Sequence, residues 1–312
     1  LTARGDAECF RAAVAFSDDG LNIAASFNRQ GLGGSVFLWD VLTGDSVQLP
    51  MAGDQMIFNV TFSADSKLLA VSGRGGITVW DVESQTVLAT CQENGHFNDS
   101  AFLADGHTLV AAQSSGMLRF WDIRTSEQIA SIDAHVAPIN ALALSPDGNG
   151  LATASADSTI RLWDTSTRQE TARLKGHTAE AVGVAFLADG SALASASMDH
   201  TVRLWEPAPR PDSDTLLGHK TLVNGINFSS DSKRLISSAF SGTPTVKMWD
   251  VASGRDLSES LGTPPANWSG TTGLSPDDQT LAIGTDEFQL WDMGARQEIA
   301  SLPSDGGINS TV

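Results

Sequence analysis

Three residues in the middle of the chain have the composition of a hydrolase triad. They are His177, Ser195 and Asp199, and Trp205 follows them. A similar set, His135, Thr153, Asp157 and Trp163, stands one segment earlier. An enzyme needs one such site, with a pocket and donors for an oxyanion. Because the set recurs in adjacent segments, the sequence favours a structural role and predicts no catalytic residue.

Other candidate sites lack the spacing that their chemistry requires. The acidic turns at Asp18-Asp19-Gly20 and Asp277-Asp278 have no D-x-D-x-D-G pattern with a distant Glu, so they do not predict a calcium loop. No helix follows Gly31-Leu32-Gly33-Gly34 to complete a phosphate cradle. Cys9 and Cys91 form no C-x-x-C pair. We therefore predict neither a metal nor a cofactor.

The elements that hold these residues are short strands. Residues 151–164 (LATASADSTIRLWD) and 193–206 (LASASMDHTVRLWE) alternate apolar and polar residues on both sides of a small turn. Alternation with period two is typical of strands with one buried face. Each segment therefore predicts two strands joined by a turn, which end on Trp and an acid.

The same pattern recurs along the whole chain. Seven Trp residues stand 41 to 44 positions apart, and an Asp-centred turn precedes each one. The Trp residues number repeats 1 to 7 and are Trp39, Trp80, Trp121, Trp163, Trp205, Trp249 and Trp291. Each repeat reads as four strands, a to d, with the Trp on strand c. Such a period indicates stacked units that share one continuous core.

Charge and composition exclude some classes of partner. The 312 residues carry a formal net charge of −18, which disfavours nucleic acid and anionic membrane surfaces. No apolar run is long enough to span a bilayer. Two scattered cysteines suit a reducing, cytoplasmic setting. Because the chain begins at Leu1 and not at Met, we expect it to be part of a longer protein.

The repeats resemble those of the WD-repeat β-propeller family. The residues that carry the resemblance are the Trp-Asp pairs, the turn Ser145-Pro146-Asp147-Gly148, and Gly176-His177 and Gly218-His219 before strand a. The resemblance implies an all-β fold, a seven-bladed β-propeller of four-stranded antiparallel blades, with residues 1–312 as one domain. Residues 296–302 and 1–4 compete for the last outer strand, and we expect 296–302 to occupy it.

The resemblance also assigns roles to the two recurrent sets. Their His, Ser or Thr, Asp and Trp side chains match the buried hydrogen-bond network of the family. The indole N–H donates, the hydroxyl group both accepts and donates, and Asp holds the His. Repeat 6 keeps His219, Ser237 and Trp249 but has no Asp.

The same resemblance predicts where partners dock. In this family, partners often bind the face that carries the d–a and b–c loops, around the mouth of the central channel. Large apolar residues stand at the corresponding positions of repeats 1, 2, 6 and 7, and we expect them to form one exposed patch unless neighbouring loops cover some of them. The predicted partner-binding residues are Phe10, Met56, Phe58, Glu180, Leu222, Asn224 and Trp268.

Taken together, these features predict a non-catalytic scaffold. Its partner is a protein or peptide, with basic residues beside an apolar anchor to match the acidic surface. The alternative is that the chain is the sensor or regulatory C-terminal domain of a larger signalling enzyme, a kinase or NTPase. The catalytic part would then lie outside these residues.

Overall fold

The elements of the computed structural model, in the part of the chain that it describes, are β-strands. The structure describes residues 9–29, 33–51, 55–205, 214–239, 245–258, 271–284, 288–302 and 309–310. Repeat 1 forms a four-stranded sheet in the order β1 (Cys9–Phe16), β2 (Asn22–Arg29), β3 (Gly33–Asp40) and β4 (Ser46–Leu49). All its strand pairs are antiparallel.

Repeats 2 and 3 share one six-stranded sheet. Its strands are β5 (Ile57–Phe62), β6 (Leu68–Asp81), β7 (Thr86–Phe102), β8 (Thr108–Gln113), β9 (Met117–Asp122) and β10 (Glu127–Asp133). Strand β6 folds back on itself. Val82, just after its end, donates its backbone N–H to the O atom of Lys67, just before its start, at 2.8 Å. Strand β6 therefore contains both strand b and strand c of repeat 2. Strand β7 continues from strand d of repeat 2 into strand a of repeat 3, and this continuity joins the two sheets.

The remaining repeats form separate sheets. Repeat 4 contains β11 (Ile139–Leu144), β12 (Gly150–Ser155), β13 (Thr159–Asp164) and β14 (Glu170–Lys175). Repeat 5 contains β15 (Ala181–Phe186), β16 (Leu193–Ser197), β17 (Val202–Trp205) and β18 (Asp214–Leu216). Repeat 6 contains β19 (Val223–Phe228), β20 (Arg234–Ala239) and β21 (Thr245–Asp250). Repeat 7 contains β22 (Thr272–Leu274), β23 (Thr280–Gly284), β24 (Phe288–Asp292), β25 (Gln297–Leu302) and β26 (Asn309–Ser310).

Local hydrogen bonds explain why the chain turns at the Asp positions. At the first a–b turn, Ser17 Oγ donates to Asp19 Oδ1 at 2.6 Å, and Gly20 N donates to Ser17 O at 2.9 Å. Gly20 has φ of 71°, which glycine adopts without a steric penalty. After the strand that carries Trp39, the Asp40 carboxylate accepts the backbone N–H groups of Leu42 and Thr43. Such side-chain caps stabilise tight turns.

The sheets are arranged in a closed ring. The inner strands β1, β5, β7, β11, β15, β19 and β22 each contact the next, and β22 contacts β1. At the closure, Thr271 Oγ1 donates to Ala12 O at 2.9 Å, and the rings of Phe27 and Phe288 lie 5.4 Å apart. The all-β propeller architecture expected from the sequence is therefore confirmed. We interpret the ring as seven blades.

The last outer strand comes from the C-terminal part of the chain. Strand β25 pairs with β24, with Ser301 opposite Gln289. Residues 297–302 thus occupy the place expected for 296–302. Residues 1–4 lie outside the described part of the chain.

The core lies between neighbouring sheets. Trp163 of repeat 4 packs with Leu118 and Phe120 of repeat 3, and Trp249 of repeat 6 packs with Val202 and Leu216 of repeat 5. Each sheet therefore buries its faces against the sheets beside it. Because no sheet buries both faces alone, the stability of each depends on its neighbours.

Candidate functional site

The candidate triad of repeat 5 forms a continuous chain of hydrogen bonds. Trp205 Nε1 donates to Ser195 Oγ at 2.8 Å, and Ser195 Oγ lies 2.7 Å from His177 Nε2. His177 Nδ1 lies 2.8 Å from Asp199 Oδ2. The carboxylate accepts from Nδ1–H, so Nε2 accepts from the serine hydroxyl, which in turn accepts from the indole. Every donor in this chain therefore has an acceptor.

Repeat 4 brings its predicted set together in the same way. Trp163 Nε1 donates to Thr153 Oγ1 at 3.1 Å, which lies 2.7 Å from His135 Nε2. His135 Nδ1 lies 2.9 Å from Asp157 Oδ2. A threonine hydroxyl thus replaces the serine hydroxyl without a change in the connections.

The position of these sets is unsuited to hydrolysis. Ser195 is 0% exposed, and Thr153 is also 0% exposed. Ser195 Oγ already accepts a hydrogen bond from Trp205, so its lone pairs are directed at protein atoms. A substrate carbonyl would have to replace packed strands to reach it. The arrangement supports the strands around it and offers no nucleophile at the surface.

Burial determines the protonation of these histidines. Desolvation lowers the pKa of His177 and outweighs the hydrogen bond that His177 donates to Asp199, which raises it. Desolvation raises the pKa of Asp199, but hydrogen bonds from Thr201, Thr178 and His177 outweigh it and bring the pKa to about 2. The pair is therefore a neutral imidazole held by a carboxylate at neutral pH.

Repeat 6 contains the same chain without a carboxylate. Trp249 Nε1 donates to Ser237 Oγ at 2.7 Å, and Ser237 Oγ lies 2.7 Å from His219 Nε2. Thr245 Oγ1 takes the place of Asp, 3.1 Å from His219 Nδ1. Burial, with Lys247 nearby, lowers the pKa of His219 to about 4. The hydroxyl–histidine–indole part of the network is thus common to repeats 4, 5 and 6.

The predicted partner-binding residues have different environments. Glu180 and Asn224 are exposed, whereas Met56 and Leu222 are half-buried. Phe58 is only 9% exposed, so the expectation that it contributes to an exposed patch is wrong. Phe10 lies in β1, but its side chain is outside the described part of the structure, as is all of Trp268.

A β-bulge explains the burial of Phe58. The register of strand a shifts at Phe58 in repeat 2 and at the equivalent residues Asn98 and Asn140. A bulge redirects the side chain of the extra residue. Asn98 Nδ2 donates to Ile139 O at 2.9 Å and Asn140 Nδ2 to Ala181 O at 2.9 Å. Phe58 likewise reaches the next repeat, where its ring lies 5.7 Å from that of His96.

Exposed apolar side chains lie elsewhere on the same face. Val136, in the d–a loop of repeat 4, is 90% exposed, and Met198, in the b–c turn of repeat 5, is 37% exposed. The nearby Pro138 is also exposed. Val136 was not among the predicted partner-binding residues. Its position directly after the network residue His135 could have identified it from the sequence.

Backbone contacts fix the loop that presents Val136. Ala134 N and His135 N both donate to Gly116 O, at 3.1 and 2.9 Å. Gly116 has φ of +87°, and a Cβ there would lie 2.2 Å from His135 O. Only glycine fits this contact, which holds the loop against repeat 3.

Hydrogen bonds connect these loops into one arc. Ala156 N donates to Pro138 O at 2.9 Å, and Met198 N donates to Glu180 O at 2.9 Å. The bond from Asn140 to Ala181 joins the two repeats between these points. Val136, Pro138, Glu180 and Met198 therefore lie on adjoining loops, which we call the repeat 4–5 rim.

Asp99 links three inner strands, a role that no pattern in the sequence indicated. Asn59 Nδ2 donates to Asp99 Oδ1, and Leu142 N donates to Asp99 Oδ2 at 2.7 Å. Desolvation raises the pKa of Asp99 to about 6, although these hydrogen bonds lower it in part. The carboxyl group thus connects repeats 2, 3 and 4 at their inner strands.

Among the residues that the structure describes, no helix is long and apolar enough to cross a membrane. Within the same ranges, no three His, Cys, Asp or Glu side chains are grouped so that they could hold a metal ion.

Comparison with known proteins relates the repeats to a family. The family model described as WD domain, G-beta repeat, matches residues 126–164, 168–206 and 212–250. A Schizosaccharomyces pombe protein, target of rapamycin complex subunit wat1, is 30% identical over 36% of this chain and 36% of its own length. Small ribosomal subunit protein RACK1y of Oryza sativa subsp. japonica is 29% identical over 36% of this chain and 34% of its length. The matches thus span about a third of these relatives.

A solved structure extends the similarity of the fold over nearly the whole chain. One chain in the crystal structure of the mitotic checkpoint complex superposes with a TM-score of 0.78 and covers 94% of each chain at 22% identity. Residues 126–250 contain the three matched repeats and the three polar networks. Three repeats of the chain thus match the WD-repeat family model, and the chain has a β-propeller fold.

Proposed function

We propose that this propeller is a non-catalytic platform that binds a protein or peptide on the face of its d–a and b–c loops. The observation that carries the proposal is the repeat 4–5 rim. Val136 is 90% exposed there, and Glu180 on the d–a loop of the next repeat is also exposed. An apolar side chain held in water by a fixed loop costs free energy unless a partner covers it.

The relatives support a role in assemblies. Wat1 is described as a subunit of the target of rapamycin complex, and RACK1y as a small ribosomal subunit protein. The structural neighbour is a chain of the mitotic checkpoint complex. Each of these names denotes a member of a multiprotein complex, and a propeller ring supplies a rigid surface for such a role.

The charge of the chain suggests the chemistry of the partner. The net charge is −18, and Glu180 stands on the rim itself. Lys or Arg beside an apolar anchor would complement this surface, and binding would weaken with salt. Met56, Leu222 and Asn224 extend the proposed surface around the ring, and Phe10 and Trp268 are kept in the proposal on the sequence alone.

Two further assignments rest on sequence alone. We keep a cytoplasmic location as part of the proposal because of the cysteine content. The alternative role, as the regulatory end of a larger kinase or NTPase, concerns residues outside this chain, and no observation favours it.

A peptide selection tests the proposal. Peptides selected from a displayed random library on the full chain would be measured against Val136→Asp and against Ile129→Asp. Ile129 is the matched control because it is 45% exposed but lies on the outer strand β10, outside the repeat 4–5 rim. We expect Val136→Asp to weaken binding about ten-fold or more, and Ile129→Asp to leave it unchanged. Equal affinity for Val136→Asp and the wild type would refute the assignment of the face.

A further inference from the structure

A second surface lies at the opposite end of the ring, where the a–b and c–d turns meet. Between repeats 7 and 1, a cleft of about 560 Å³ is lined by apolar side chains that include Ile23, Trp39 and Leu290. Leu42, 79% exposed, and Val41, 45% exposed, stand at its edge. The cleft therefore offers both an apolar floor and an exposed apolar edge.

The rim of this cleft is acidic. Asp19, Asp40 and Asp277 line it, and no Lys or Arg is among the described residues of its lining. Hydrogen bonds keep the carboxylates of Asp40 and Asp277 ionised. The backbone N–H of Thr43 lowers the pKa of Asp40 most, and the Ser275 hydroxyl lowers that of Asp277.

An adjoining cleft continues the acidic surface. Asp19 and Asp40 also line a cleft of about 640 Å³ between repeats 1 and 2, together with Asp45, Asp81 and Glu83. Lys67 is the one cation among its described lining residues, and its ammonium group lies 3.9 Å from Asp65. Leu21, 45% exposed, brings a further apolar side chain to the same edge.

The equivalent cleft between repeats 4 and 5 differs in its volume and in its lack of exposed apolar side chains among the described lining residues. It is smaller, about 390 Å³, and Asp147 and Asp189 stand where the first cleft has Asp277 and Asp19. No large exposed apolar side chain is among its described lining residues. Acidic turns are thus common to the repeats, whereas their combination with exposed apolar side chains distinguishes the surface around repeat 1.

From this combination we propose a second docking surface, separate from the repeat 4–5 rim, for a basic segment of a partner protein that carries an apolar side chain between Lys or Arg residues. The apolar side chain enters the cleft between repeats 7 and 1, and the cations face Asp19, Asp40 and Asp277. Because the two surfaces are at opposite ends of the ring, one molecule can hold two partners at once.

A defined peptide tests this surface. The probe is a fluorescein-labelled decapeptide with two central leucines flanked by arginines, and its affinity for the full chain is measured by anisotropy. A peptide with glutamates in place of the arginines is the charge control. We expect binding of the arginine peptide alone, with an affinity that falls as salt rises.

Matched variants locate the binding. Asp19→Asn with Asp277→Asn removes two charges but keeps an oxygen that can accept the turn hydrogen bonds. We expect it to weaken binding about three- to ten-fold. The control is Asp147→Asn with Asp189→Asn, which makes the same change in the cleft between repeats 4 and 5 and should leave the affinity unchanged. Leu42→Ser should weaken binding by a similar factor, and Val136→Ser should not.

Three outcomes would overturn the proposal. Equal losses in the two double variants would mean that the peptide senses only net charge. A loss with Val136→Ser and none with Leu42→Ser would place the peptide on the opposite face. If a chain that ends at Leu302 bound the peptide and the full chain did not, residues 303–312 would be the occupant of the cleft.

Discussion

Repeats 4 to 6 and the pair formed by repeats 1 and 7 keep the same Trp position in different ways. In repeats 4, 5 and 6 the indole N–H donates to a hydroxyl that a histidine also contacts. In the described part of the chain, the indole N–H groups of Trp39 and Trp291 have no hydrogen-bond partner. Their strands place Ala25 and Ile283 where repeat 4 has Thr153.

Aromatic packing replaces the network at the closure of the ring. The ring of Phe27 lies 6.4 Å from that of Trp39 and 5.4 Å from that of Phe288. An edge-to-face pair adds about 0.5–1.5 kcal/mol beyond area burial. Packing can therefore hold this Trp without the polar network, because Trp39 lies in the cluster with Phe27 and Trp291 packs against the apolar cluster that contains Met248 and Ile283. The family model matches the repeats that have the network.

The largest expected effect comes from removing the aromatic packing. Phe27 is 1% exposed, and Phe27→Ala would leave a cavity between repeats 1 and 7. We expect a loss of about 3–5 kcal/mol in the free energy of unfolding, measured by urea denaturation. Leu42→Ala, at the surface, should change stability by less than about 0.5 kcal/mol. A small loss for Phe27→Ala would show that the aromatic cluster does not hold the closure.

The pH dependence of stability tests whether the histidine of a polar network is buried in its neutral form. The pKa of His219 is lowered from 6.5 to about 4 in the folded chain, so the unfolded chain binds more protons between these values. Stability from this group is therefore present above pH 6.5 and is lost as the pH falls toward 4. By linkage the loss amounts to about 3 kcal/mol.

The measurement compares unfolding free energies of wild type and His219→Gln from pH 7 to pH 4. The variant is less stable at pH 7, and its stability should fall less steeply with acid. Parallel curves would show that His219 is not buried in its neutral form.

A smaller effect is expected from single network groups. Ser195→Ala leaves the indole N–H of Trp205 and Nε2 of His177 without partners, and Asp199→Ala leaves Nδ1 of His177 without its acceptor. Each should cost about 1–3 kcal/mol, measured by thermal and urea unfolding. Hydrolysis of a generic ester by the wild type that is lost in Ser195→Ala would contradict the structural role.

The smallest effect is expected from the reverse substitution. Ala25→Ser in repeat 1 brings a hydroxyl group close to the indole of Trp39 but supplies no histidine to accept from it. We expect a change of about 1 kcal/mol or less in the free energy of unfolding, because one new hydrogen bond offsets one new unsatisfied donor. A gain as large as the loss from Ser195→Ala would mean that the hydroxyl alone carries the network's contribution.

Fixed spacing explains what could be predicted from the sequence. In repeats 4 and 5 the network residues stand at the same offsets from the Trp, so His177, Ser195 and Asp199 could be identified without coordinates. The burial of Phe58 could not be predicted, because it depends on a bulge that directs the side chain to the next repeat. The bond from Leu142 to Asp99 depends on which inner strands adjoin. The period of the repeats predicts the strands, whereas contacts between repeats depend on the closed ring.

One paired measurement tests the central claim that this propeller binds through its rim and not through its buried polar sets. Affinity for a selected peptide and the midpoint of thermal unfolding would be measured for Ser195→Ala and for Val136→Asp. We expect Ser195→Ala to lower the unfolding midpoint and keep the affinity, whereas Val136→Asp should keep the midpoint and lose about ten-fold in affinity. If Ser195→Ala lost the peptide while Val136→Asp retained it, the claim would be contradicted.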